Sequence, residues 1–175
     1  MAVDKIYLVG FMGCGKTTVA GVLARRLGWQ SEDIDELIEA RERRPVADIF
    51  ARQGEAYFRR IERDIVRLLL PLRHVVVAAG GGTFVDTDNR AAMMLDGLTI
   101  WLEVPFEVVL ARVPADGRRP LAGDRVQMGQ LFASRQAAYS LAHVRIDAGL
   151  APAEEIAERI IDRMDRMDRM DNLKL

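Results

Sequence analysis

The sequence predicts one three-layer α/β domain, a parallel sheet covered by helices on both faces. Three observations carry that prediction. Short apolar runs alternate with stretches of helical periodicity along the 175 residues. Those runs are continuously apolar, as in strands buried on both sides, and do not alternate as half-exposed strands do. The first run also passes through a glycine-rich loop straight into a helical pattern, the order strand, loop, helix.

The elements follow in turn. Lys5-Ile6-Tyr7-Leu8-Val9 is β-rich and long enough for a buried parallel strand. Gly10-Phe11-Met12-Gly13-Cys14-Gly15-Lys16-Thr17-Thr18 comes next, and Val19, Val22, Leu23 and Leu27 then repeat at helical spacing. A weak second strand is expected near residues 29 to 33, followed by a long helix over about 55 to 70 on which Phe58, Ile61, Ile65 and Leu68 share a face. His74-Val75-Val76-Val77-Ala78, Leu98-Thr99-Ile100-Trp101-Leu102 and Val144-Arg145-Ile146 supply three more strands. Further helices are expected over roughly 105 to 113, 126 to 140 and 153 to 170.

Two stretches read as additions to this scaffold. Residues 33 to 62 are dense in charge and aromatic side chains and lie between the second and third strands, where a small substrate subdomain fits. Residues 112 to 125 contain Pro114, Gly117, Arg118, Arg119, Pro120 and Gly123, a composition suited to a lid. The domain is taken as 1 to 161. Residues 162 to 175 repeat Asp-Arg-Met, with Asp162/Arg166 and Asp165/Arg169 spaced for weak helical ion pairs. Methionines three apart drift around a helix, so this extension is expected to be exposed, helical or frayed, with a partner-binding helix as the alternative.

Composition narrows the class. Apolar residues make up 50% and charged residues 29%, with net charge −1, so no global field favours nucleic acid or an anionic membrane. One cysteine leaves no internal disulfide and suits a reducing compartment. No run approaches membrane-spanning length and the start lacks a leader pattern, so a cytoplasmic protein is expected, and a monomer.

The chemistry begins at the glycine loop. G-x-x-x-x-G-K-T between a strand and a helix binds the phosphates of a nucleoside triphosphate: glycines let successive N–H groups point inward, and the helix start adds unpaired N–H groups and a positive dipole end. Gly13, Cys14, Gly15, Lys16, Thr17 and Thr18 form this cradle, with Lys16 bridging the terminal phosphates and Thr17 offering its hydroxyl to Mg²⁺. Cys14 reads as a small residue that fits; a redox-active thiol is the alternative.

Asp33-Ile34-Asp35 places two carboxylates on one side of an extended segment at the end of the second strand, where ligands bind in such sheets. One can order the metal's water shell while the other takes a proton from an attacking hydroxyl, or Asp35 can cap the helix beginning near Glu36. Gly54-Glu55-x-x-Phe58-Arg59-x-x-Glu62 opens the long helix, and Gly80-Gly81-Gly82 follows the third strand, where a backbone N–H can approach a ligand.

Together these features resemble the shikimate kinase family over about residues 4 to 160. The signatures are GFMGCGKTT, Asp33-x-Asp35, GEAYFRRIE, Gly80-Gly81-Gly82, Arg119-Pro120-Leu121 and Arg135-x-x-x-Tyr139. The resemblance implies strand order 2-3-1-4-5 and transfer of the ATP γ-phosphoryl group to the 3-hydroxyl of shikimate. It implies Asp35 as base and binder of the ring hydroxyls, and Asp33 acting on Mg²⁺ through water. Arg59 and Arg135 would hold the shikimate carboxylate, with Gly81 offering a backbone contact and Glu62 orienting Arg59. Phe50 and Phe58 would form apolar walls, Arg119 would descend with the lid onto the transferring phosphoryl, and Arg112 would lie against adenine.

Three departures stand out. Ala79 occupies a place where the family commonly has Ser or Thr, Ala122 follows Leu121 where a second Leu is usual, and Arg43-Arg44-Pro45 replaces a glycine turn. Tuning is expected, not loss. Competing readings are another small-metabolite kinase such as a gluconate kinase, or a non-catalytic nucleotide-binding module or GTP switch. The chain lacks the Asn-Lys-x-Asp guanine-reading motif. His74 and His143 lack metal-ligand spacing, so structural or surface roles are expected.

Overall fold

The computed structural model describes residues 3–113 and 125–172. Five parallel strands, β1 (Lys5–Val9), β2 (Gln30–Asp33), β3 (Val75–Ala78), β4 (Leu98–Glu103) and β5 (Val144–Asp147), form one sheet in the order β2-β3-β1-β4-β5. Central β1 pairs Tyr7 with Val77 on one side and with Thr99 on the other. Its residues are all buried, as are those of β3, which explains the apolar runs Ile6 to Val9 and Val75 to Ala78. Edge strand β2, Gln-Ser-Glu-Asp, is polar and half exposed, so its sequence signal is weak.

Among the described residues seven helices connect and cover the strands: α1 (Lys16–Leu27), α2 (Ile34–Glu42), α3 (Val46–Leu69), α4 (Thr87–Asp96), α5 (Phe106–Arg112), α6 (Arg125–Tyr139) and α7 (Ala153–Asn172). Helix α1 starts after Gly15 and stops at Gly28, both in left-handed backbone conformations. Helix α3 is broken at Gly54 (φ 79°, ψ 172°), so its second part begins at Glu55, where the periodic pattern does. That part buries Phe58, Ile61, Glu62, Ile65, Val66 and Leu69. Leu68 is instead 63% exposed, because it lies off the row that continues from Ile65 to Leu69.

Asp33 and Asp35 are not on one extended segment. Asp33 ends β2 and caps α2, accepting from the N–H groups of Asp35 (2.9 Å) and Glu36 (3.3 Å), while Asp35 is already helical. At the far end of α2, Arg43 takes the left-handed conformation (φ 53°) that a glycine turn would adopt more easily.

Helix α7 continues unbroken through the Asp-Arg-Met repeat. Ile156, Ala157 and Ile160 are buried, Met164 is buried with them and Met167 packs at the edge of the core, but Met170 has turned out to solvent. The expected drift of the methionines therefore takes effect only at the third.

The sheet's two edges differ in character. At the N-terminal edge, Lys5 is fully buried and donates to the carbonyls of Leu69 (2.8 Å) and Leu70 (2.9 Å) and to Asp96 (2.7 Å). Its ammonium complements the carbonyl end of α3. The C-terminal edge carries the glycine loop after β1, Asp33 at the end of β2 and the glycine triplet after β3.

Candidate active site

The loop after β1 is built as its sequence requires. Gly10, Gly13 and Gly15 have φ of 142°, 76° and 94°, and a β-carbon on Gly10 would lie 2.7 Å from the carbonyl of Leu102. Lys16 folds over the loop, its Nζ donating to the carbonyls of Gly10 (3.0 Å) and Phe11 (2.9 Å). Thr17 Oγ1 donates to Asp33 Oδ2 at 2.6 Å, bringing the hydroxyl beside a carboxylate that also caps α2. Cys14 is buried, consistent with the fitting role. A cleft of about 280 Å³ opens here, lined by Gly13, Gly15, Lys16, Thr17, Thr18, Asp33, Asp35, Ala79, Gly81 and Arg112.

These residues fit a nucleoside triphosphate with Mg²⁺. Mg²⁺ keeps several waters and needs only one or two protein oxygens besides the phosphates. Thr17 would supply one such oxygen, and Asp33, hydrogen-bonded to it, would support the surrounding water shell. Arg112 borders the cleft, and its Nη2 donates to the carbonyl of Gly149 (2.8 Å), tying the end of α5 to the turn after β5.

Gly80, Gly81 and Gly82 account for the other half of the site. None has positive φ, so backbone freedom is not what requires them. Volume is. A β-carbon on Gly80 would lie 2.7 Å from Asp35 Oδ1; on Gly81, 3.2 Å from Arg135 Nη1; on Gly82, 2.4 Å from Arg59 Nη1. Each missing side chain makes room for one charged group, and the three groups converge on a single turn. Gly81 also faces the glycine loop, its added β-carbon lying 3.5 Å from the N of Met12.

Each arginine is held from behind. Arg59 bonds Glu62 (2.9 Å) and Glu55 (3.0 Å). Burial opposes its charge, but these carboxylates outweigh it and raise the guanidinium above its already high pKa. Arg135 is only 5% exposed and stacks over Phe11, with Cζ 5.6 Å from the ring centre. It also hydrogen-bonds Tyr139, whose hydroxyl donates to the Gly81 carbonyl. Burial pushes the Tyr139 phenol up, so it remains protonated. Phe58 is buried against Phe50, ring centres 4.7 Å apart, and Arg59 lies across its face.

The structure thus brings together Asp35, Arg59, Gly81, Arg135, Glu62, Phe50 and Phe58 on one side, and the glycine loop, Asp33 and Arg112 on the other. Arg119 and most of the expected lid lie outside the described residues. Sequence reasoning missed Thr83, whose buried hydroxyl donates to Glu62 (2.6 Å), since a lone threonine after a glycine triplet carries no pattern.

Comparisons with known proteins agree with the fold. The shikimate kinase family model matches residues 12–165. A shikimate kinase of Persephonella marina is 39% identical over 161 residues, covering 91% of this chain and 98% of that one. Another, from Sulfurihydrogenibium sp., is 40% identical over 161 residues, covering 91% and 97%. The structure of shikimate kinase from Acinetobacter baumannii in complex with shikimate superposes with a TM-score of 0.89 at 32% identity, covering 93% of each chain. With the fold and nearly the full length in agreement, the chain belongs to the shikimate kinase family.

Proposed function

We propose that the protein transfers the γ-phosphoryl group of ATP to the 3-hydroxyl of shikimate, giving shikimate 3-phosphate and ADP. One observation carries the reading: the turn at Gly80 to Gly82 gathers one carboxylate and two guanidinium groups beside the phosphate loop. A planar guanidinium fork suits a carboxylate better than an ammonium does, so Arg59 and Arg135 bind that of shikimate. Asp35 binds the ring hydroxyls and accepts the proton of the attacking one. The Gly81 backbone contacts the ring, and Phe50 and Phe58 form the apolar wall.

On the donor side, the backbone N–H groups of Gly13, Cys14, Gly15, Thr17 and Thr18 hold the phosphates, and Arg112 flanks the adenine. Lys16 exchanges its two carbonyl partners for phosphate oxygens and stabilises the charge that develops during transfer. Thr17 and Asp33 hold Mg²⁺, directly and through water. When bound, the ion supplies neutralisation of phosphate charge. Arg119 is assigned to the transferring group. The enzyme is read as a cytoplasmic monomer of one domain, with the segment 112 to 125 as its lid. Among the described residues no helix is long and apolar enough to cross a membrane.

A coupled assay of ADP release against shikimate, gluconate and nucleoside monophosphates tests the substrate. Turnover is expected with shikimate alone. Arg59→Ala is expected to raise the shikimate KM at least tenfold and leave that of ATP within twofold, while Asp35→Asn lowers kcat. Equal turnover with gluconate would remove the substrate assignment, and an unchanged shikimate KM in the Arg59 variant would remove that residue's role.

A further inference from the structure

Two carboxylates hold Arg59, and they are not equivalent. Glu55 is 54% exposed and sits at the helix surface, where an ion pair contributes little; Glu62 is 1% exposed. Glu55 Oε1 accepts from Nε (3.2 Å) and Nη2 (3.0 Å), and the buried Glu62 anchors the remaining arm of the fork at Nη1. Glu62 uses its oxygens separately, Oε2 accepting from Arg59 Nη1 (2.9 Å) and Oε1 from Thr83 Oγ1 (2.6 Å). Thr83 is fully buried, and its own N–H bonds the Gly80 carbonyl (3.1 Å), which fixes the hydroxyl to the glycine turn. A continuous chain thus runs from the turn after β3, through Thr83 and Glu62, to Arg59 on α3.

We infer that Thr83 is a positioning residue for the acceptor: through Glu62 it sets the orientation of Arg59 toward the substrate carboxylate. The inference rests on the assignment of Arg59 to that carboxylate. Without the hydroxyl, Oε1 of a buried carboxylate loses its donor, and Glu62 can turn to seek another. Arg59 would keep its charge but lose its fixed direction. The consequence falls on acceptor binding, because Lys16, Thr17 and Asp33 have no part in the chain.

Thr83→Val removes the hydroxyl while keeping the shape, and Thr83→Ser keeps the hydroxyl. The valine variant is expected to raise the shikimate KM about fivefold to twentyfold, at the low end of one charge-assisted hydrogen bond because the hydroxyl acts on Arg59 only through Glu62. Its kcat and its KM for ATP should stay within twofold, and Thr83→Ser should restore the wild-type values. In an Arg59→Ala background, Thr83→Val should add nothing further to the shikimate KM. If the valine variant does not fold, Thr83→Ala is measured in the same way. A shikimate KM within twofold of wild type, a parallel rise in the ATP KM, failure of serine to rescue, or a full effect in the Arg59→Ala background would each overturn the inference. An Arg59→Ala enzyme with unchanged shikimate KM would instead overturn the underlying assignment of Arg59.

Discussion

Replacing Gly82 by alanine separates the two reasons for which a glycine can be needed. The backbone there has no positive φ, so alanine is not conformationally strained. Its β-carbon, however, would fall 2.4 Å from Nη1, 2.5 Å from Nη2 and 2.7 Å from Cζ of Arg59. Those atoms are the far end of a flexible side chain, which can move where a backbone cannot. Restoring ordinary contact requires the guanidinium to retreat by about 1 Å, a displacement that can cost about a hundredfold when it misplaces a binding group. Losing one well-formed charge-assisted hydrogen bond to the substrate corresponds to about 1.5–3 kcal/mol, or roughly tenfold to a hundredfold in affinity. The fold should hardly notice, since alanine also restricts the unfolded chain, an effect of about 0.4–1 kcal/mol in the opposite direction. The coupled ADP-release assay at saturating ATP is expected to show the shikimate KM rising by that factor, with the melting temperature changed by no more than about 3 °C. A shikimate KM within twofold of wild type would refute the reasoning. So would a large fall in melting temperature, which would mean that the clash is relieved by the backbone.

Two further outcomes follow from charged groups away from the cleft. Lys5→Met removes the buried ammonium that bonds Leu69, Leu70 and Asp96, and the loss is expected at about 3–5 kcal/mol. Thermal unfolding should show a fall of about 6–20 °C with both KM values unchanged; an unchanged melting temperature would contradict the role given to Lys5. Burial raises the Asp86 pKa, but the N–H of Asn89, the Arg63 guanidinium and the N–H of Asp88 outweigh it and hold the carboxyl below its usual value. Stability from Asp86 is therefore present above its unfolded pKa of about 3.9 and is lost as pH falls through the lower folded value. The melting-temperature gap between wild type and Asp86→Asn should narrow from pH 6 to pH 3, and a constant gap would sink this account.

The sheet was legible because β1, β3 and β4 are buried on both faces and are written as largely apolar runs, whereas the order of its strands was implied by the family resemblance and is not written in those runs. The donor half of the site was equally plain, since the residues of a phosphate loop are adjacent in sequence. Helix α4 was not anticipated: its amphipathic signal is modest, and its start depends on Asp86 accepting from Asp88 and Asn89, a cap that resembles an ordinary polar turn. Asp33 and Asp35 were seen as a pair, but their division into strand-end cap and first-turn carboxylate depends on where β2 stops. The triplet reads in sequence as a place where a backbone N–H can approach a ligand; that its missing side chains also make room for three charged groups arriving from α2, α3 and α6 is visible only in the fold. Volume of that kind is invisible until distant segments meet.

The break at Gly54 and the anchor at Lys5 lie on opposite sides of Arg59 along the same helix. The length after Gly54 is clamped at its carbonyl end by a buried ammonium, whereas the length before it is joined through one residue whose backbone is not helical. Mechanically, Gly54 is a fulcrum and the stretch from Glu55 to Leu69 a fixed beam. A tilt of the segment from Val46 to Gln53, including Phe50, can alter the apolar wall without transmitting torque to Arg59. Arg59 keeps its registration with the sheet while the Phe50 ring on the other side of the break adjusts.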